Sequence, residues 1–325
     1  MENIRKCSDI IELDDDAKRQ YIDARAVFEA WESARKAAST VRGGMYWRRT
    51  RQIEYLIRTS SSNAQKSLGR RTTETEVIYK KFFEMKNSAE ARQSSLRQAL
   101  NRHQKLNRVL RVGRAPPIVV GILNALATAG LAEHFTVVGT HALYAFETAA
   151  GVRIADTSAM ETRDVDLLWD TRKRVQFVSR LKLQGSSLVR LLQKVDPSFA
   201  IRHDQRYTAT NGNGFEVDIL RREAVEGDPV ALRLSDDEDD FWAVQARNAG
   251  ELLNAPRFSS VIVDTSGHMA RMNTIAPAAF SRFKRWLAEQ SDRDPLKRSR
   301  DRRQAELVVA LADEYLPQLR NDTST

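Results

Sequence analysis

No stretch restricts the fold of this chain as strongly as Phe135 to Asp170, FTVVGTHALYAFETAAGVRIADTSAMETRDVDLLWD. The apolar, β-branched run Thr136, Val137, Val138 predicts a strand, Gly139-Thr140 a tight turn, and Ala142 to Glu147 a helix. Asp164-Val165-Asp166 then leads into Leu167, Leu168 and Trp169, a second strand. Side chains alternate along a strand, so Asp164 and Asp166 share one face while Val165 points to the other, toward the core. Two carboxylates side by side repel unless a cation sits between them, which makes the pair a candidate cradle for a divalent metal.

Phe215-Glu216-Val217-Asp218-Ile219-Leu220 reads as a further strand. It is delivered by Asn211-Gly212-Asn213-Gly214, a strong hairpin signal. Its Asp218 lies between apolar neighbours and, next to the acidic strand, could complete a two-metal site. At the other end of the stretch, Gly139 lets the backbone approach a phosphate closely, and the amides opening the following helix offer donors to an anion. The expected core is α+β, a mixed sheet with helices on one face.

These residues and their order resemble the nucleotidyltransferase-fold (polymerase-β-like) superfamily. Its signature is an apolar residue, Gly and a small residue at a strand-to-helix turn, then acid-x-acid, then a lone acid on a later strand. Val138-Gly139-Thr140, Asp164-x-Asp166 and Asp218 match it, over roughly residues 118 to 222. Thr140 stands where Gly or Ser is usual, and the long gap between turn and acid pair reads as an insertion around Gly151 to Met160. More loosely, the chain looks like a bacterial group with an amino-terminal extension carrying Lys66-Ser67-Leu68-Gly69. The resemblance implies transfer of a nucleoside monophosphate from an NTP to an acceptor hydroxyl, on a nucleic acid such as tRNA or on a protein or small molecule, with pyrophosphate leaving. Asp164, Asp166 and Asp218 would be the catalytic residues and the ligands of Mg2+ (or Mn2+). Gly139 and Thr140 would hold the β- and γ-phosphates. By the same resemblance, a carboxy-terminal helical bundle would supply Lys284 and Lys297 to the triphosphate; the structural alternative for both is surface ion pairing with Asp292, Asp294 and Asp301.

The 325 residues carry a net charge of +9, unevenly distributed. Residues 1–113 hold 24 Lys and Arg against 14 Asp and Glu, and the remainder 28 against 29, so the excess is all in the first third. A basic module ahead of a nearly neutral one suggests that the first holds a polyanion while the second performs chemistry. The alternative is a well-solvated helical surface. There is no apolar run of membrane-spanning length, and the start, MENIRKCSDIIELDDD, lacks the basic-then-apolar order of a secretory signal. A single cysteine, Cys7, excludes an intramolecular disulfide framework, so the expected compartment is the cytoplasm.

Three regions follow: a basic helical region with a β-hairpin (1–113), the catalytic domain (114–235), and a mainly helical C-terminal domain (236–325). In the first, Tyr21, Ala24, Val27, Phe28 and Trp31 mark an amphipathic helix. Met45 to Thr59 reads as one strand with Ala64 to Gly69 as its partner, and Thr72 to Leu110 as one or two helices opened by Thr73-Glu74-Thr75-Glu76. Aromatic faces stack on bases and guanidinium groups pair with phosphates, so Trp47 and Tyr55 with Arg48, Arg49, Arg51, Arg58, Lys66, Arg70 and Arg71 form a candidate nucleic-acid surface. The competing reading makes the aromatics the small core of the hairpin. His141 reads as a helix histidine with a local partner rather than a base. The run Ser235 to Asp240 (SDDEDD) reads as a solvated linker or helix start, and Val261-Ile262-Val263 as a short edge strand. Two further functions stay open: a sugar-nucleotide glycosyltransferase, which shares the acid-x-acid strand, and a non-catalytic module that keeps the fold to bind RNA or DNA.

Overall fold

The structure, a computed structural model, describes residues 9–60, 63–183, 187–226, 228, 232–235 and 237–319. Cys7, Ser61, Ser62 and Asp236 lie outside the described residues. By contacts the chain divides into two compact units: Arg19–Leu106, and the residues before Arg19 together with those after Leu106.

The second unit opens with strand β1 (Ile10–Glu12), after which helix α1 (Asp15–Thr40) runs on into Arg19–Leu106. There, Ala24 and Phe28 of α1 are buried, as the apolar spacing predicts. β2 (Gly44–Thr50), β3 (Ile53–Thr59) and β4 (Gln65–Arg70) form an antiparallel three-stranded sheet. Met45 to Thr59 is therefore not one strand but two. Thr50 pairs with Ile53 around a two-residue turn in which Arg51 takes a left-handed φ of 56°. No Gly or Asn marks that turn, so composition does not announce it. Lys66 to Gly69 lies in β4, and a register shift opposite Leu56 and Ile57 accompanies Gly69 at φ 125°. α2 (Thr73–Val109) is one continuous helix. Its start is closed reciprocally, Thr72 N donating to Thr75 Oγ1 and Thr75 N to Thr72 Oγ1.

After Leu106 the chain builds a mixed sheet. α3 (Pro117–Thr128) leads to β5 (Phe135–Val138), a 3-10 turn over Thr140–Ala142, and α4 (Leu143–Ala150). Gly151, in the left-handed region, ends α4. The insertion that follows holds β6 (Val152–Ile154), which pairs with β1, and α5 (Thr157–Met160). β7 (Asp164–Trp169) is the acidic strand. α6 (Arg174–Leu183) and α7 (Leu188–Gln193) precede β8 (Ala200–Ile201), β9 (Thr208–Thr210) and β10 (Glu216–Arg221). β9 and β10 form the hairpin that Asn211 to Gly214 announces. β11 (Leu232–Arg233) and β12 (Trp242–Gln245) complete the order β11-β12-β10-β7-β5, with β9 also on β10 and β8 on β9.

The acidic run does not behave as a solvated linker throughout. Asp240 is fully buried and accepts from Leu188 N and Val189 N, so it caps α7 from the far side of the sequence. α8 (Ala249–Asn254) is followed by β13 (Arg257–Val263) and β14 (Met269–Ile275). Val261 to Val263 is not an edge of the main sheet: it belongs to this separate antiparallel hairpin, whose Thr274 hydroxyl donates to Val137 O of β5 at 2.7 Å. α9 (Pro277–Glu289) and α10 (Pro295–Tyr315) bury Phe280, Leu307, Val308 and Leu311 in one cluster with Phe146 of α4 and Ile154 of β6.

Candidate active site

β7 and β10 are parallel neighbours with Asp166 opposite Asp218 and Asp164 opposite Glu216. β5, antiparallel on the other side of β7, sets Val138 opposite Asp166. Along β10, Val217, Ile219 and Arg221 are buried while Glu216, Asp218 and Leu220 keep part of their surface; in β7, Val165 is buried between its two partly exposed acids. Strand alternation and parallel register thus put the acids on one face. One ligand atom each from Asp164, Asp166 and Asp218 all lie within 4.8 Å of one another, the one such group among the described residues. Thr162 donates its hydroxyl to Asp164 Oδ1, and Thr208, opposite Asp218 in β9, donates to Asp218 Oδ1 at 2.5 Å.

Burial, followed by the charges of Asp164 and Asp218, pushes Asp166 up to about 7, against the opposing pull of Lys284 and Arg293. Asp218 is raised too, chiefly by burial, with the Thr208 hydrogen bond working the other way and Asp164 and Glu216 adding to the rise. Mutual repulsion and burial thus disfavour the fully ionised cluster, which a proton or a cation would relieve. Three hard carboxylate oxygens at this spacing could hold a divalent metal ion.

Gly139 abuts this cluster. Its φ of 75° and ψ of −159° disfavour any side chain, and a Cβ there would stand 2.2 Å from Asp166 Oδ2. Thr140 is buried with its hydroxyl accepting from Gln304 Nε2 of α10 at 3.0 Å, and the same amide donates to Ala159 O at 2.6 Å. The hydroxyl is thus engaged within the protein, and the part of this turn that lines the cleft is Gly139.

A cleft of about 350 Å³ extends from Gly139 and Asp166 past Leu168 and Leu220 to Phe283, Lys284, Trp286 and Arg293. Lys284 is buried, its Nζ donating to Asp301 Oδ1 at 2.7 Å. Arg293 Nε donates to Asp301 Oδ2 at 2.9 Å, so one buried carboxylate holds two cations in the cleft wall. Burial depresses the Lys284 pKa, while Asp301 and Asp166 oppose the shift. Lys297 is elsewhere: it is exposed in the first turn of α10 and does not line the cleft. The surface pairing considered for these residues does not occur as framed. The Lys284–Asp301 pair is buried, Asp292 pairs with Arg247 at 2.8 Å, and Asp294 caps α10 through Leu296 N and Lys297 N.

Among the described residues His141 has no hydrogen-bond partner for its ring. Both ring nitrogens are buried without one, the ring lies 5.7 Å from Tyr144 and 5.9 Å from Phe215, and burial lowers its pKa to about 4. It is a neutral packed ring. Sequence reasoning missed Thr208, Arg293 and Gln304 as contributors, and it named Asp301 as an ion-pair partner of Lys284 but at the surface rather than in the interior. Thr208 could have been found by counting back through the hairpin from Asp218. Gln304 could have been found as a polar residue within the apolar face of α10, three positions after Asp301.

In Arg19–Leu106, Arg48, Arg49, Arg51, Lys66, Arg70 and Arg71 are all exposed. Arg71 is neutralised by Glu54 and Glu76, at 2.7 and 2.8 Å, and lies over Trp47. Trp47 packs 5.8 Å from Tyr79, so this ring is largely engaged within the unit.

A mixed sheet carrying an acid pair, with a third acid on the parallel neighbour and a glycine-hinged helix start beside it, is the nucleotidyltransferase fold in an α+β chain. A protein-family model described as Nucleotidyltransferase matches residues 118–325, well over half of the chain. The chain belongs to that nucleotidyltransferase family. No curated protein and no solved structure matches it. Among the described residues no helix is long and apolar enough to cross a membrane.

Proposed function

We propose that the protein transfers a nucleoside monophosphate from an NTP to an acceptor hydroxyl carried by a nucleic acid such as tRNA. The acceptor hydroxyl gives up its proton to solvent, its oxygen forms a bond to the α-phosphorus, the bond from that phosphorus to the bridging oxygen of the β-phosphate breaks, and pyrophosphate leaves. The observation that carries this reading is the convergence of Asp164, Asp166 and Asp218 within 4.8 Å beside the cleft that Gly139, Lys284 and Arg293 line.

Asp164, Asp166 and Asp218 would hold Mg2+ or Mn2+, which when bound neutralises charge on the triphosphate and on the attacking oxygen. Thr162 and Thr208 fix the carboxylates of Asp164 and Asp218 by donating to one oxygen of each. Gly139 presents backbone without a side chain next to Asp166, which leaves room for a phosphate. Lys284 and Arg293, held by Asp301, offer positive charge to the departing pyrophosphate. Leu168, Leu220 and Trp286 give the remainder of the cleft an apolar lining suited to a base.

The acceptor class rests on charge: residues 19–106 hold 19 Lys and Arg against 8 Asp and Glu. The same surplus favours the second reading, a module that binds nucleic acid without catalysis. Retention of all three acids within reach of one another weighs against it. Incubation with each α-labelled NTP, Mg2+ and total cellular RNA, then with whole lysate, tests the proposal. Label should enter RNA with the parent chain and not with Asp166→Asn. Label on protein or small molecules alone would overturn the acceptor assignment, and equal labelling by the variant would overturn the site.

A further inference from the structure

Apart from the exposed strand arginines, residues 19–106 contain a hollow of about 400 Å³ near the end of α1 and the paired ends of β3 and β4. That volume lies within the ~300–1,000 Å³ typical of small-ligand sites. Arg42, Arg58 and Lys66 line it together with Ser39, Thr59 and Gln65, and among the described residues no carboxylate does.

Arg58 is the fixed member. It is partly buried and opposite Lys66 in the strand register, and its guanidinium donates to Gly44 O at 3.1 Å, Thr59 O at 2.5 Å and Arg42 O at 2.7 Å. It also lies 4.4 Å from the centre of the Phe82 ring. All these partners are neutral. They lock the group in place without cancelling its charge, in contrast to Arg71, which two glutamates neutralise. Arg42 and Lys66 are exposed and make no ion pair among the described residues. The Oε1 of Gln65 is occupied by Arg48, which leaves its amide N–H groups as further donors. Three cations without a carboxylate partner among the described residues, lining one concavity, favour an anion site over a solvated surface, where charges disperse and pair.

We infer that this hollow seats a phosphate of a single-stranded nucleic acid, with Arg58 as the immobile charge and Arg42 and Lys66 as the flexible ones. The inference rests on the nucleic-acid partner proposed above and specifies where its backbone is gripped. The phosphate could be internal or 5′-terminal, and the two are separable by experiment.

The test measures binding of the full chain to a 3′-labelled single-stranded RNA, with and without a 5′-phosphate, by fluorescence anisotropy across about 50 to 200 mM salt. For Arg42→Ala/Lys66→Ala, the slope of log affinity against log salt should shrink in magnitude by about 0.7, the value for one phosphate contact on a single strand. Affinity should fall roughly fourfold at about 0.15 M salt. Arg92→Ala/Arg97→Ala removes the same charge from exposed positions of α2 and should leave the slope in place. A change seen only with the 5′-phosphorylated strand assigns the terminal phosphate; a change with both assigns an internal one. An unchanged slope in the first variant, or an equal fall in both, overturns the site while leaving the nucleic-acid partner standing. Failure of the parent chain to bind either RNA overturns both.

Discussion

Asp166→Asn should make the metal-free protein more stable, and the size of the gain follows from the site. Asp166 is raised from an ordinary 3.8 to about 7 by burial and by two neighbouring acids. In the unfolded chain the group ionises near 3.8, so between that pH and 7 the unfolded state sheds a proton that the folded state retains. Whatever stability the neutral acid contributes is therefore complete below about pH 4 and lost by the time the pH has risen through 7. Three pH units at 1.36 kcal/mol each set a ceiling of about 4 kcal/mol. The carboxyl keeps part of its surface in water, and we expect about 2 kcal/mol. The assay is urea unfolding of parent and variant in EDTA at pH 4 and pH 8. The two should coincide at the lower pH, and the variant should be more stable at the higher. Addition of Mg2+ at pH 8 should stabilise the parent and not the variant, reversing the order. A variant less stable than the parent in EDTA at pH 8, or a gap that does not change with pH, would refute the electrostatic argument and with it the cation cradle.

Gly139→Ala should abolish nucleotide transfer and lower stability by about 1–3 kcal/mol, since the new Cβ meets Asp166 Oδ2 at 2.2 Å in a left-handed backbone; labelled transfer and urea unfolding read both effects. Asp301→Ala leaves Lys284 buried without its counter-ion and should cost about 3–5 kcal/mol in chemical denaturation, most of it recovered in Lys284→Met/Asp301→Leu, which stays inactive if Lys284 serves the triphosphate. His141, depressed to about 4 from 6.5, is neutral when folded, so its contribution is present above 6.5 and lost as the pH falls through 4. His141→Leu should flatten that part of the stability-pH curve, by up to about 3 kcal/mol, in thermal melts between those values.

Much of this protein is legible along the chain because the relevant spacings are short. The pattern Asp164-Val165-Asp166 dictates that two acids share a face, since alternation is a property of any strand. Asn211 to Gly214 dictates a hairpin, and with it the delivery of Asp218. The apolar stripes of α9 and α10 likewise follow from helical periodicity. The two-residue turn at Arg51 escaped because it uses no turn-forming residue, and β14 because its partner was assigned to another sheet.

What tertiary structure alone decided are the contacts between residues far apart in sequence. Parallel pairing of β7 with β10 sets Asp218 opposite Asp166 across some fifty residues, and no local pattern specifies which strands become neighbours. Packing of α10 places Gln304 on Thr140 and sets Asp301 between Lys284 and Arg293, which admits Arg293 to the cleft wall and leaves Lys297 in solvent. Asp240 caps a helix about fifty residues before it for the same reason. A buried polar group must find a partner wherever the fold brings one within reach, and composition along the chain carries no record of that distance.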